Sequence, residues 1–157
     1  MPDAFPSLAE LAAEEQELQF RGFTNDDAWD LGSALVAAAR RDGAPVAVDI
    51  SRHGQQLFHA ALPGTSPDND SWIQRKTRVV HRFGHSSLYV RQASIERGTT
   101  FEAEFPALDP ALHAAHGGAF PVVVRSVGPV GAVVVSGLPQ LEDHRMVVAA
   151  LRAHLGR

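Results

Sequence analysis

Four strand-like runs come in two adjacent pairs, and that pairing limits the folds open to this chain more than any other feature. Val46, Val48 and Ile50 alternate with Ala47 and Asp49, and after the turn Ser51-Arg52-His53-Gly54 the run Gln56 to Leu62 is again strand-like, which predicts a β-hairpin. Phe120 to Val127 and Gly131 to Val135 are valine-rich runs separated by Gly128-Pro129-Val130, which predicts two adjacent strands, covered on both faces, at the sheet centre. Strands joined this locally pair antiparallel, because a parallel pair needs a long crossover.

The intervening segments carry helix signals. Ser7 with Glu10 three residues on has capping-box spacing and predicts a helix from about Ser7 to Phe20, ended by Gly22. Thr24 or Asn25 caps a second helix, in which Trp29, Leu31, Leu35, Val36 and Ala39 recur at helical spacing until Gly43. The stretch 63–70 is turn chemistry throughout and reads as an exposed lid or rim, with Asp68 to Asp70 offering N-caps for a helix over Ser71–Phe83. Ser86 or Ser87 caps a further helix to Gly98, and Asp109-Pro110 reads as the N-cap and first residue of another, with Gly117 as its stop. A last helix over about Gln140–His154 places Leu141, Val148 and Leu151 on one face. The expected class is α+β, a mostly antiparallel sheet of four or five strands with a helical insertion packed over one face. With 157 residues, 45% of them hydrophobic, and no repeat or linker, a single domain over residues 1–157 is expected.

Composition removes several function classes. A net charge of −4 argues against a nucleic-acid partner, because such binding rests on Lys and Arg neutralising phosphates. The absence of cysteine excludes disulfides, thiol catalysis and Cys-based metal sites. Four glutamates and no basic residue stand in Met1–Glu17, the reverse of a signal peptide, and a cytoplasmic location is expected. No apolar run approaches the ~20 residues of a membrane helix, so no membrane association is expected.

The chain has one lysine, Lys76, and it falls in the middle of an apolar stripe. At about 100° per residue, Trp72, Ile73, Val79, Val80 and Phe83 all lie within about 60° of it. An ammonium placed there must snorkel, pair with a carboxylate, or face an anionic ligand. His144 interrupts a second apolar stripe, just after the strand-to-helix crossing Ser136-Gly137-Leu138-Pro139, where a helix start offers backbone N–H groups to an anion. His116-Gly117-Gly118 precedes the first valine-rich strand, and paired glycines permit close backbone approach. Among the eight histidines, His81 with His85 and His113 with His116 have spacings that can share a helix face, but neither pair has a third ligand, and no metal site is expected. No nucleophile elbow or catalytic triad is present, and catalytic residues stay unassigned.

The pieces Asp68-Asn69-Asp70-Ser71-Trp72-Ile73-Gln74-Arg75-Lys76, His116-Gly117-Gly118-Ala119-Phe120-Pro121 and Gly131-Ala132-Val133-Val134-Val135-Ser136-Gly137-Leu138-Pro139-Gln140, followed by Asp143-His144, resemble the haem-degrading-domain family, relatives of glycolate-operon accessory proteins and haem-binding sensor domains. The resemblance covers nearly the whole chain. It implies a profilin-like antiparallel sheet flanked by helices, assembled as a homo-oligomeric ring of eight to ten subunits. It also implies haem or another small anionic molecule as ligand, near Arg75, Lys76, Gly117, Gly118 and His144, and assigns no histidine as an axial ligand.

Three functions follow. The first is a module that binds a small anionic ligand in a pocket drawn from Trp72, Arg75, Lys76, His116, Gly117, Gly118, Ser136, Gly137, Asp143 and His144. The second is an enzyme, degrading haem or processing a small acid, with Lys76 or His144 as general acid–base. The third is an oligomeric adaptor, to which Phe5, Phe20 and Phe23 contribute subunit contacts or, alternatively, pack on their own core.

Overall fold

The computed structural model describes residues 4–157. Ser7 and Glu10 form the reciprocal capping box that their spacing predicts, starting α1 at Leu8–Glu17. Thr24 and Asp27 do the same for α2, Asn25–Asp42, which Gly43 ends in the left-handed conformation. The chain then forms β1 (Ala47–Arg52) and β2 (Gln55–Ala61), joined by His53 and Gly54, both at positive φ. Next come α3 (Pro67–Phe83), α4 (Ser87–Glu96) and α5 (Phe101–Glu104), then β3 (Ala119–Val124), β4 (Gly128–Ser136) and α6 (Gln140–Leu155).

The four strands form one antiparallel sheet in the order β2-β1-β4-β3. The expected α+β class is thereby observed, with one correction to the layout. The centre is the β1–β4 pair, Val48 facing Val135 and Ile50 facing Val133, whereas β3 lies at an edge. Alternation along these strands sorts two packing surfaces. Leu31 and Leu35 of α2 and Val148 and Leu151 of α6 cover Val48, Ile50, Val133 and Val135 on one face. Ile73 and Val80 of α3 cover Ala47, Ala119, Ala132 and Val134 on the other. The small alanines on that second face let α3 lie close to the sheet.

Several local expectations are revised. Helix α3 starts at Pro67 rather than Ser71, because Ser66 precedes a proline preset for the first helical turn and the Ser66 N–H donates to Asn69 Oδ1 at 2.9 Å. The exposed rim shrinks accordingly. No helix runs from Asp109 to Gly117. The Ala114 N–H donates to the Arg75 carbonyl at 3.2 Å, and the Arg75 guanidinium to that of Pro110, so this segment is held along α3 and coils for no more than one turn, at 109–113. The β3–β4 turn lies at 125–127, with Ser126 at φ 65°, and Gly128-Pro129-Val130 belongs to β4. Pro129 is accommodated because it lies beyond the stretch paired with β1 and beside a bulge at Val122/Val123.

Phe20 is not helical. Its N–H donates to Val123 and its carbonyl accepts from Arg125, both at 2.8 Å, adding a short parallel bridge beside β3. Phe20 and Phe23 are buried in their own core, edge to face with centroids 5.0 Å apart, which leaves Phe5 as the exposed phenylalanine of the three. Trp29, expected on the buried stripe of α2, is 63% exposed and rests edge-on against Phe58. No helix among the described residues is long and apolar enough to cross a membrane.

Candidate functional site

Helix α3 carries Lys76 over the sheet, and the sequence's one lysine is 3% exposed. Its Nζ donates to the Val135 carbonyl at 3.1 Å and to Asp143 Oδ2 at 3.2 Å. Asp143, in the first turn of α6, is 2% exposed and is itself held by the backbone. The Leu138 N–H donates to its Oδ1 at 3.0 Å and the Gly137 N–H to its Oδ2 at 3.4 Å. One carboxylate thus closes the strand-to-helix turn and neutralises the buried ammonium. Of the alternatives open to Lys76 in the sequence, carboxylate pairing is the one realised.

Gly118 makes room for this pair. It sits at φ 129°, and a Cβ there would fall 2.7 Å from Lys76 Nζ and 3.1 Å from Asp143 Cβ. Burial pushes the Lys76 pKa down, against the opposing pull of Asp143, and pushes the Asp143 carboxyl up to about 6, against Lys76 and the two backbone donors.

The pair forms the floor of a cavity of about 250 Å³ between the start of α3 and the β4–α6 turn. Trp72, His116, Ser136, Gly137 and Gln140 surround it, with Asp68, Asn69 and Leu138. Asn69 Nδ2 lies 3.5 Å from Ser136 Oγ, and the Gly117 N–H donates to Gln140 Oε1 at 3.0 Å. The His116 ring meets Trp72 edge to face with centroids 5.0 Å apart. Its pKa is lowered, first by burial and then by the Lys76 charge, which favours the neutral ring. An ammonium has three N–H donors, and the described residues give Lys76 two acceptors. The third donor, the Asn69 amide and the partial positive charge of the α6 N-terminus are what this cavity offers to an oxygen-rich guest.

The sequence-predicted residues divide. Trp72, Lys76, His116, Ser136, Gly137 and Asp143 line one cavity, and Gly117 and Gly118 form the backbone behind it. Arg75 does not reach it, because its guanidinium lies 4.5 Å from the Trp72 ring centre and donates to the Pro110 carbonyl at 2.9 and 3.2 Å. His144 also falls elsewhere. One position on from Asp143 turns the side chain by about 100°, and its Nε2 meets Glu14 Oε1 at 2.9 Å in a groove between α1 and α6. Asn69, Gln140, Asp68 and Leu138 are additions, and the signal that placed Asn69 was the Ser66-Pro67 pair marking an earlier start of α3. Neither histidine pair shares a helix face: His85 lies past the end of α3, stacked on Tyr89 and 2.8 Å from Glu15, and His113 lies in the 105–118 segment. Among the described residues no group of three or more His, Asp or Glu is placed to hold a metal ion.

Comparison with known proteins places this architecture. The family model described as haem degrading protein HbpS-like matches residues 23–152, most of the chain. The chain belongs to the HbpS-like family. A UPF0303 protein of Streptomyces coelicolor is 62% identical to this HbpS-like chain over 151 residues, 96% of this chain and 95% of that one. The crystal structure of the Ybr137w protein has a TM-score of 0.86 at 38% identity, covering 98% of this chain and 90% of that one. A crystal structure of a PduOC–haem complex shares the fold, with a TM-score of 0.70 at 18% identity over 84% of this chain and 94% of that one.

Proposed function

We propose that this HbpS-like chain is a binding module for a compact carboxylate-bearing ligand, held over the Lys76–Asp143 pair and assembled as a cytoplasmic homo-oligomer. The observation that carries the reading is the buried lysine with a donor to spare at the floor of a polar cavity. Around it the Asn69 amide supplies a further donor for a carboxylate, the start of α6 adds partial positive charge, and Trp72 supplies a flat apolar wall.

The haem in the PduOC complex motivates a test of fit for a tetrapyrrole. A macrocycle needs a broad apolar slot. This cavity of about 250 Å³ lies below the usual range of roughly 300–1,000 Å³ for ligand pockets, and most of its wall is polar. These residues fit one carboxylate arm and not an enclosed ring. The homo-oligomer reading is supported by an apolar groove of about 720 Å³ between α2 and α6, lined by Ala34, Ala38, Met146, Ala149 and Ala150.

A bound carboxylate competes with Asp143 for Lys76, so affinity should rise as Asp143 takes up a proton near pH 6. The experiment uses a Trp29→Phe background, in which Trp72 is the single tryptophan, and follows its fluorescence while adding two- to four-carbon carboxylic acids, and hemin in parallel, at pH 6 and pH 8. At least one acid should quench saturably, more tightly at pH 6, and Lys76→Gln should weaken binding about tenfold or more, the scale of a lost charge-assisted hydrogen bond. Silence from every acid and from hemin, or binding unchanged by Lys76→Gln, would overturn the reading. Native mass spectrometry of the same sample reads the subunit number, and a monomer would remove the assembly.

A further inference from the structure

On the other flank of α3 lies a second cleft, of about 570 Å³, that the Lys76 cavity does not include. Its floor is the α3-facing side of β1, and its wall is the Asp70, Ile73, Gln74 and Thr77 side of the helix. Asp49, buried in the sheet, accepts from Gln56 Nε2 at 2.6 Å and meets His59 Nδ1 at 3.1 Å, both from the neighbouring strand β2. The other ring nitrogen of His59 lies 3.3 Å from Asp70 Oδ1, near enough for charge attraction but misaligned for a hydrogen bond. Asp70 Oδ1 is therefore a buried acceptor without a hydrogen-bond partner. Ser51 is a second orphan. It is 8% exposed, two positions along β1 from Asp49 and so on the same face, and its Oγ has no partner among the described residues.

The charges around the cleft point one way. Two carboxylates face it, and the one permanent cation on its rim, Arg78, donates its Nη1 to the Leu112 carbonyl at 3.2 Å. Burial pushes the His81 pKa below its ordinary value, which favours the neutral ring. Asp70 Oδ1 and Ser51 Oγ are left here without partners, beside two carboxylates. A guest must bring N–H groups and positive charge. A bare metal ion is the poorer match, since Asp49 and Asp70 sit at opposite ring nitrogens of His59, and among the described residues no group of three or more His, Asp or Glu is placed to hold one. An ammonium has three donors on a compact charge and needs no fixed geometry. A smaller cavity of about 290 Å³ beside Val80, Pro129 and Val130 adjoins it and shares Gly54 and His81 with it.

We propose that this cleft binds an aliphatic primary amine, its ammonium seated between Asp70 and Ser51 and its alkyl stem laid along Ile73. The inference is independent of the carboxylate reading, since none of the residues invoked lines the Lys76 cavity.

The test titrates the full chain with butane-1,4-diamine in phosphate buffer, following the histidine ring resonances by NMR and the heat of binding by calorimetry. The His59 and His81 rings should shift saturably in the low millimolar range or below, while butane-1,4-diol at the same concentration leaves them in place. Asp70→Asn should weaken binding about tenfold or more, as expected when a charge-assisted hydrogen bond is lost. Ser51→Ala removes one hydroxyl and should weaken binding a few-fold, and it keeps the test valid if Asp70→Asn perturbs the helix start. Shifts that do not saturate by 10 mM diamine, equal shifts with the diol, shifts with magnesium but not with the diamine, or unchanged affinity in both variants would each overturn the proposal.

Discussion

The two flanks of helix α3 solve the same problem, a charged group beside an apolar sheet, in opposite ways. On one flank Lys76 and Asp143 are almost wholly withdrawn from water, and backbone groups of Gly137, Leu138 and Val135 hold them. On the other, His59 and Asp70 stay a third to two-fifths exposed, and side chains of an edge strand hold the cluster together. A pair held by backbone is rigid and costly to disturb, because loss of either partner strands a buried charge. A pair held by side chains in contact with water is cheap to rearrange, because solvent replaces whatever is lost.

The sharpest way to break this contrast is Asp143→Ala. It leaves the Lys76 ammonium buried and unpaired and frees the N–H groups of Gly137 and Leu138, so chemical denaturation should show a loss of about 3–5 kcal/mol. A loss below about 1 kcal/mol would mean that water reaches Lys76 and that the two flanks are alike.

The next effect is a pH dependence of stability. The Asp143 pKa rises from an ordinary 3.8 to about 6 on folding, so between those values the folded chain holds a proton that the unfolded chain has released. Stability from this group is therefore present below about pH 4 and falls as pH rises to about 6, by up to about 3 kcal/mol. Asp143→Asn should remove that slope from denaturation midpoints measured at pH 4, 5, 6 and 7, and an unchanged slope would assign it to another group.

The smallest effect is expected across the helix. Asp70→Asn should change stability by less than about 1 kcal/mol, since the carboxylate is partly exposed and its pairing with His59 is screened by water. A larger loss in the same denaturation assay would give the second flank a structural weight that its geometry does not predict.

How much of this could be read in the chain depended on where the deciding interactions lie. The capping box at Ser7, the cap at Thr24, the first hairpin and the Gly43 stop are local signals, and they appear where the residues put them, whereas the turn of the second hairpin falls ahead of Gly128-Pro129-Val130. The placing of Lys76 within an apolar stripe was legible for the same reason, since helical periodicity needs no tertiary knowledge. Segment 109–117 was not, because Arg75, more than thirty positions away in sequence, captures it through both its carbonyl and its guanidinium. Asp143 and His144 are neighbours in sequence and read as one site, yet the turn of α6 sends them to different cavities. Asp49, Ser51 and His59 carry no motif, and only the register of β1 on β2 brings Asp49 opposite His59.

The bridge at Phe20 has a consequence at the level of the whole sheet. Strand β3 is an edge strand whose far end is capped by Phe20, whose near end is capped by Ser87 Oγ accepting from the Ala119 N–H, and whose middle carries Pro121, which has no N–H to offer. Among the described residues strand β2 has no such backbone covering and is the sheet's free margin. A molecule with a single open margin can lengthen its sheet once, by meeting the like margin of another copy. After that meeting the described residues leave no margin open, so strand addition by this route ends at a pair.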